Sequence, residues 1–170
     1  MQPRPATAND AAAIAELIRA AFAAQSVPTD PPPSAILETR ESVAATLTQG
    51  GGAVMEEAGR LIGSVLWEEK KDAGLYVGRL SVHPDHRRRG IARALVVTAE
   101  AEALRRALPR VHLSTRIPLM DNRALFAICG FVETSLQTHP GYKQPTFLTM
   151  EKYLPTGPNG EPAPSPQHGR

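Results

Sequence analysis

The sequence predicts an α/β (α+β) fold with a mixed, mostly antiparallel central sheet of about seven strands and four helices on both faces. Hairpin signals, such as Ala58-Gly59 between two strand-like runs, indicate antiparallel pairs. A strand, a long amphipathic helix from Gly90 and a further strand then follow in that order. That order is typical of a crossover between strands of one sheet. The predicted element order is β-α-α-β-β-β-α-β-α-β-β.

The N-terminal part of the chain predicts one strand and two helices. Gln2–Ala6 is a short strand, and Thr7 with Asp10 three positions later is a helix-start signal. One apolar stripe follows at helical spacing, formed by Ile14, Leu17, Ile18, Ala21 and Phe22. A second helix is expected within Ser34–Gln49. Its expected inward residues are Ile36, Leu37, Val43 and Leu47.

The rest of the chain predicts six strands and two helices. The expected strands are Ala53–Glu57, Arg60–Glu69, Leu75–Val82, Val111–Thr115, Phe131–Thr138 and Thr146–Leu154. The expected helices are Gly90–Arg106 and Asn122–Cys129. The longer helix should turn Ile91, Leu95, Val96, Ala99 and Leu104 inward, and its Glu102 and Arg106 are spaced as an i, i+4 ion pair on the solvent side.

Composition predicts one domain and a cytoplasmic location. A chain of 170 residues with 42% hydrophobic residues can form a single core. We assign residues 1–154 to that domain and 155–170, rich in Pro and Gly, to a flexible tail. The single cysteine, Cys129, excludes an intrachain disulfide and suits a reducing compartment. The apolar run Ala11–Ala24 contains charges, so neither a signal peptide nor a membrane span is expected.

The segment from Leu80 to Leu95 predicts an anion-binding site. A strand ends at Pro84, the basic turn Arg87-Arg88-Arg89 follows, and a helix begins at Gly90. The first turn of a helix has unpaired N–H groups and a partial positive charge, which together favour phosphate. Gly90 and Ala92 leave room for a ligand near the backbone, and Arg93 adds charge. The alternative is an ordinary helix start with solvated arginines.

Two motifs carry a resemblance to a known family. Arg87–Ala92 (RRRGIA) resembles the Arg/Gln-x-x-Gly-x-Gly/Ala motif of the GCN5-related N-acetyltransferase (GNAT) superfamily. Asn122–Phe131 resembles the second motif of that family, which ends in Gly-Phe. The resemblance extends over about Arg4–Leu154. It implies a GNAT-like domain that transfers an acetyl group from acetyl-coenzyme A to an amine by direct attack on the thioester. A small primary amine is the expected acceptor, because the sequence shows no extra domain to hold a macromolecule.

The resemblance also implies roles for individual residues. The coenzyme pyrophosphate would lie against the turn and helix start, at Arg87, Arg88, Arg89, Gly90, Ala92 and Arg93. Leu80 and Val82 would pair their backbone with the pantetheine arm, and the Val82 amide would stabilise the oxyanion. Asn122 would reach the arm from the far side, where Phe126 completes the cofactor-binding set.

Two departures from the family pattern leave the proton-transfer groups open. The position that often holds an acidic Tyr is Phe126, and the position that often holds a Glu is Gly78. Tyr142 is the first candidate for the acid, and packing on the hairpin is its alternative. His139 can act as a base near neutral pH, although a surface histidine is the simpler interpretation. Glu68 and Glu69 end a strand nearby, but one of such a pair usually faces solvent.

Two other hypotheses, a metal site and a cysteine nucleophile, have less support from the sequence. His83 and His86 have no third ligand at useful spacing, so no metal is expected. For Cys129, a buried inert thiol is favoured over an acetyl-carrying nucleophile.

Two other functions compete with the enzyme. A non-catalytic acyl-coenzyme A-binding or sensory module is the main one, because the usual Tyr and Glu are missing. Nucleic-acid binding ranks far behind, because the net charge is only +2 and aromatic residues make up 5% of the chain. Dimerisation is common in the family, so a homodimer is an open expectation.

Overall fold

A computed structural model of the protein describes residues 1–72 and 74–155, and its elements follow the predicted order. The helices are α1 (Ala11–Ala23), α2 (Arg40–Gln49), α3 (Ile91–Arg105) and α4 (Met120–Ile128). The strands are β1 (Arg4–Pro5), β2 (Gly51–Glu57), β3 (Arg60–Lys70), β4 (Gly74–Val82), β5 (Arg110–Arg116), β6 (Val132–Gln137) and β7 (Phe147–Tyr153). The predicted fold class is confirmed within the described residues, and β1 is shorter than expected.

The strands form one sheet in the order β1-β2-β3-β4-β5-β7-β6. Neighbouring strands run antiparallel except β4 and β5, which pair in parallel at Gly74–Tyr76 and Arg110–His112. Parallel neighbours need a long crossover, and α3 supplies it. The predicted pairing of the strand before the long helix with the strand after it is therefore confirmed.

Two apolar clusters, one on each face of the sheet, hold the helices. On one face α3 buries Leu95 in a cluster that also includes Phe126 of α4. On the other face α1 buries Ile18 in a cluster that includes Val43 of α2. Successive residues of a strand point to opposite faces, and each cluster takes alternate residues of the central strands. Helices on both faces are thus confirmed.

The start of α1 is fixed by side chains that the sequence identified. The N–H of Thr7 donates to Asp10 Oδ2 at 2.8 Å, and the two residues form a capping box around a short 3₁₀ turn. Arg4 donates from Nη1 and Nη2 to the two carboxylate oxygens of Asp10, each at 2.9 Å. These bonds join β1 to the first helical turn.

The second helix differs from its prediction. Ser34–Leu37 is a separate 3₁₀ turn, and the backbone is extended at Glu38 and Thr39 before α2 begins. Ile36 and Leu37, expected to face inward, are 40% and 76% exposed. The apolar periodicity could not run through the break, because Thr39 restarts the helix as an N-cap. The expected inward positions Val43 and Leu47 do pack in the core.

The long helix matches its prediction except at one position. Leu104 was expected to be buried but is 44% exposed, and Ala103 is fully buried in its place. Ala103 lies one helical turn after the buried Ala99, so the small residue continues the inward stripe. The expected pair is present, since Arg106 Nε donates to Glu102 Oε1 at 2.7 Å, but both side chains are partly buried rather than on the solvent side.

No helix within residues 1–72 and 74–155 has both the length and the apolar character needed to cross a bilayer. The predicted tail, residues 155–170, lies outside the described residues except for Pro155.

Candidate functional site

The site begins where β4 and β5 diverge. Their parallel pairing ends at Tyr76 and His112, and β4 continues to Val82 with no partner strand on that edge among the described residues. The amide of His83 donates to Ile62 O of β3 at 2.9 Å. Successive residues of a strand direct their amides to opposite sides, so the Val82 amide points away from β3 and into the gap. Backbone groups there are available to an extended ligand.

A β-bulge in β4 shapes the wall of this gap. The register with β3 shifts between Ser64↔Ser81 and Leu66↔Gly78, and Arg79 has a left-handed backbone with φ of 54°. A bulge bends its strand and redirects a side chain. Here it turns Arg79 toward Glu38, whose Oε1 accepts from Arg79 Nε at 2.8 Å.

The gap opens into a cavity of about 290 Å³. Its apolar and aromatic walls come from α1, β4, α4 and β7. The predicted site residues on its wall are Leu80, Asn122, Phe126 and His139. Phe126 is buried and packs edge-on against Phe131, with ring centroids 6.0 Å apart.

The predicted anion site lies beside the gap at the start of α3. Gly90 is the N-cap with φ of 77°, and a Cβ built there would meet nothing within 4 Å. Arg88 is also left-handed, with φ of 62°. The first helical hydrogen bond runs from the Ala94 N–H to Gly90 O, so the preceding amides are unused within the helix. The backbone therefore has the space and the free donors that a phosphate requires.

The arginine side chains at this turn have different partners. Arg87 donates to the carbonyls of Ala21 and Ala24 at 3.1 and 3.2 Å and so holds the end of α1. Arg89 donates to both carboxylate oxygens of Glu57, at 2.8 and 3.2 Å. Arg88 and Arg93 are exposed, and neither guanidinium has a hydrogen-bond partner among the described residues. The sequence predicts that all four arginine side chains contact the anion. In the structure Arg87 and Arg89 are bonded to protein groups, so the prediction is kept only for the side chains of Arg88 and Arg93.

His139, the predicted base, is fixed in the loop between β6 and β7. Its Nδ1 lies 2.5 Å from Thr146 Oγ1, which also accepts from the His139 N–H at 3.0 Å. Its ring packs on Phe147 with centroids 4.7 Å apart. Burial lowers the pKa of His139, and the positive charge of Arg116 adds to this effect. The imidazole is therefore neutral at pH 7.

Tyr142, the predicted acid, is not on the cavity wall. Its hydroxyl donates to Asp30 Oδ1 at 2.5 Å, which links the β6–β7 loop to the loop between α1 and α2. That hydrogen bond raises the pKa of Tyr142. Tyr142 therefore has a hydrogen-bond partner outside the β6–β7 hairpin, and the role of an acid stays a prediction.

A tyrosine ring covers Gly78, the position where the family often has a Glu. A Cβ at Gly78 would lie 3.2 Å from Cε1 of Tyr76, so the tyrosine ring covers the position. Glu68 is paired with Lys70 at 2.7 Å, and Glu69 lies 3.6 Å from Arg106. Neither glutamate lines the main cavity, although Glu68 borders a smaller one beside it.

Cys129 is half-buried away from the cavity wall, and burial raises the pKa of its thiol. In the described part of the chain, no group of three or more His, Cys, Asp or Glu residues is arranged to hold a metal ion.

Sequence reasoning missed two arginines of the cavity wall, Arg79 and Arg116. Arg79 follows a glycine within β4 and Arg116 is the last residue of β5, which is a weak signal. Their places depend on the bulge in β4 and on the divergence of β4 from β5. The predicted residue Val82 and the run from Arg87 to Arg93 lie beyond that wall, along the same edge and at the helix start.

Comparison with known proteins gives the family. The model of the acetyltransferase (GNAT) family matches residues 12–131. Acetyltransferase SG1711 of Sodalis glossinidius is 35% identical over 86 residues, which are 49% of this chain and 56% of that protein. Acetyltransferase ECA0875 of Pectobacterium atrosepticum is 38% identical over 77 residues, 44% of this chain and 50% of that protein. The chain thus matches about half the length of these curated relatives.

Solved structures show the same fold. The structure of yncA, a putative acetyltransferase from Salmonella typhimurium with its cofactor acetyl-CoA, has a TM-score of 0.72 and 21% identity. The alignment covers 98% of each chain. At that identity the likeness concerns the fold. The family match, however, covers well over half of the 170 residues, and on that ground the chain belongs to the acetyltransferase (GNAT) family.

Proposed function

We propose that the protein is an acetyl-coenzyme A-dependent N-acetyltransferase whose acceptor is a small primary amine. The observation that carries this proposal is the divergence of β4 from β5 beside the free start of α3. One end of this groove has donors for a diphosphate, and the other end opens into a cavity that can take an amine. Family membership and a fold neighbour described with acetyl-CoA support the choice of coenzyme.

The proposed coenzyme-binding surface, here called the track, runs from the start of α3 along the open edge of β4 to α4. The backbone amides from Arg88 to Arg93 would hold the pyrophosphate, with the free guanidinium groups of Arg88 and Arg93 beside it. The open edge of β4 at Leu80 and Val82 would pair with the amides of the pantetheine arm. Asn122 and Phe126 of α4 form the facing wall.

The reaction would be a direct transfer. The neutral amine nitrogen attacks the thioester carbonyl, a C–N bond forms, and the C–S bond breaks. The amine loses one proton, and the leaving thiolate gains one, so the products are an amide and the free thiol of the coenzyme. The Val82 amide points into the gap and would stabilise the oxyanion. His139, neutral at pH 7, is the proposed base, and Tyr142 remains the proposed acid.

A non-catalytic acyl-coenzyme A-binding module is the second candidate. Phe126 and Gly78 favour it, because neither residue can transfer a proton and both stand where the family often has groups that can. Such a module would bind the coenzyme by the same track. It would release no thiol when an amine is added.

Two measurements on the full chain separate these candidates. Calorimetric titration with acetyl-coenzyme A should show binding for both, and no binding would refute the coenzyme site. A thiol-release assay against amino acids, polyamines, aminoglycosides and peptide N-termini should then show turnover with at least one amine. Binding of acetyl-coenzyme A with no thiol release for all four classes of amine would favour the non-catalytic module.

The remaining expectations stay predictions. They are the cytoplasmic location, the homodimer, and the division into a domain of residues 1–154 and a tail of residues 155–170.

A further inference from the structure

The charge of the cavity wall indicates what kind of amine fits. Among the described residues that line it, the permanently charged ones are Arg79 and Arg116, and none is Asp or Glu. His139 is also on the wall, but its lowered pKa leaves it neutral at pH 7. A polyamine would therefore meet positive charge and no carboxylate.

Arg79 is already neutralised by the protein. Its Nε donates to Glu38 Oε1 at 2.8 Å, and its Nη2 donates to Ser34 Oγ at 3.1 Å. Its role in the wall is to fix the loop before α2. It contributes little net charge to a ligand.

Arg116 is different, because no carboxylate lies within ion-pairing distance of its guanidinium anywhere in residues 1–72 and 74–155. Its Nη1 and Nη2 donate to the carbonyls of Pro31 and Pro32 at 2.6 and 3.3 Å. A guanidinium has five N–H donors, so several remain free. The nearby Asp30 accepts from Tyr142. Burial lowers the pKa of Arg116, and the charge of the nearby Asp30, which is not in direct contact, opposes part of that effect.

Arg116 also lies on the face of the sheet that α1 covers. Leu113 of β5 faces the α3 side, so Ser114 and Arg116 face the opposite side, with α1. Phe22 of α1 and Phe147 of β7 line the same cavity and provide apolar surface. The pantetheine track runs along the β4 edge, so the guanidinium is separate from the proposed coenzyme contacts.

We propose that the acceptor is a small amine that carries a carboxylate, such as an amino acid, and that Arg116 binds that carboxylate. This inference rests on the proposed function and names its substrate class. The aromatic surface would contact the apolar part of the acceptor. A carboxylate held by Arg116 would place the amine toward the thioester, and the transfer itself is the balanced step given above.

The test compares each acid with its neutral analogue. Thiol release is measured with acetyl-coenzyme A and a panel of α-, β- and γ-amino acids, and the best acceptor is then compared with its C-terminal amide. A charged hydrogen-bonded pair predicts kcat/KM at least about tenfold higher for the acid. The amide has the lower amine pKa and hence more reactive amine at neutral pH, so intrinsic reactivity works against this result. Equal or faster turnover of the amide would overturn the inference.

A variant of Arg116 distinguishes binding of the acceptor carboxylate from a purely structural role of this residue. Arg116→Gln should remove the preference, so that kcat/KM falls about tenfold more for the acid than for the amide. The matched control is Arg105→Gln, because Arg105 is 70% exposed on α3 and pairs with Glu102, and neither residue lines the cavity. Equal losses for acid and amide in Arg116→Gln would show that Arg116 only anchors the Pro31–Pro32 loop, and would overturn the inference.

Different results would contradict the proposed function and the carboxylate inference. If acetyl-coenzyme A does not bind in calorimetry, the proposed function fails and this inference fails with it. If acetyl-coenzyme A binds and spermidine or another small amine without a carboxylate is the best acceptor, the enzyme proposal stands and the carboxylate inference is overturned.

Discussion

Gly90 is the residue on which the proposed coenzyme site depends most directly. We expect Gly90→Glu to weaken acetyl-coenzyme A binding by more than about tenfold, because it places a carboxylate and bulk at the anion site. Calorimetric titration measures this. Gly59→Glu is the matched control, since Gly59 has the same φ of 77° and equally open space in the β2–β3 turn. Both variants carry similar backbone strain. Equal affinities in the two would refute the site.

Tyr142 is the proposed acid and also joins two loops through Asp30. We expect Tyr142→Phe to lower kcat with little change in coenzyme affinity, because the proposed proton donor and the hydrogen bond to Asp30 are both lost. Steady-state kinetics and calorimetry measure the two effects, with the exposed Tyr153→Phe as the control. If Tyr142 is the acid, Asp30→Ala should retain most of the activity. If the residue acts by joining the two loops, Asp30→Ala should match the loss. Unchanged rates in Tyr142→Phe would remove it from the mechanism.

At the scale of elements, α2 shows how one side chain sets a helix boundary. Thr39 Oγ1 accepts from the Ser42 N–H at 3.1 Å as an N-cap. We expect Thr39→Ala to lower the free energy of unfolding by about 1 kcal/mol, measured by urea denaturation. Thr48→Ala, near the other end of the same helix, should change it by only a few tenths of a kcal/mol. A similar loss in both variants would show that the cap contributes nothing specific.

The element boundaries show which structural features could be predicted from the sequence. Hairpins, helix periodicity and the capping signal at Thr7 and Asp10 are local, so they predicted the order of elements. The break at Glu38 and Thr39 was missed, because an apolar run with helical spacing does not reveal a change in backbone direction. Leu104 was misplaced by the same limitation, since periodicity alone did not choose between adjacent Ala103 and Leu104.

At the scale of the molecule, two carboxylates make the free energy of unfolding depend on pH. Hydrogen bonds from Arg4 lower the pKa of Asp10 to about 2, and those from Arg105 and then Arg106 lower the pKa of Glu102 to about 2. In the unfolded chain these groups titrate near 4, so the unfolded state takes up the protons first as the pH falls. Their contribution to stability is complete above about pH 5 and is lost progressively toward pH 2.

Urea denaturation at pH 7, 4 and 3 measures that dependence. The wild-type free energy of unfolding should decrease toward pH 3, and the double variant Asp10→Asn, Glu102→Gln should start lower and decrease less. Parallel decreases in both proteins would assign the acid sensitivity to other groups.

The sequence by itself determined the order of the elements, the anion-binding turn at Gly90 and the resemblance to the family, because each is encoded in a short stretch with local periodicity or spacing. The tertiary structure decided which side chains meet. Arg79 and Glu38 are 41 residues apart, and Tyr142 and Asp30 are 112 apart. Whether Arg87 faces an anion or the end of α1, and whether Arg116 reaches the cavity, depends on how strands and helices pack. A short stretch of sequence does not contain that information.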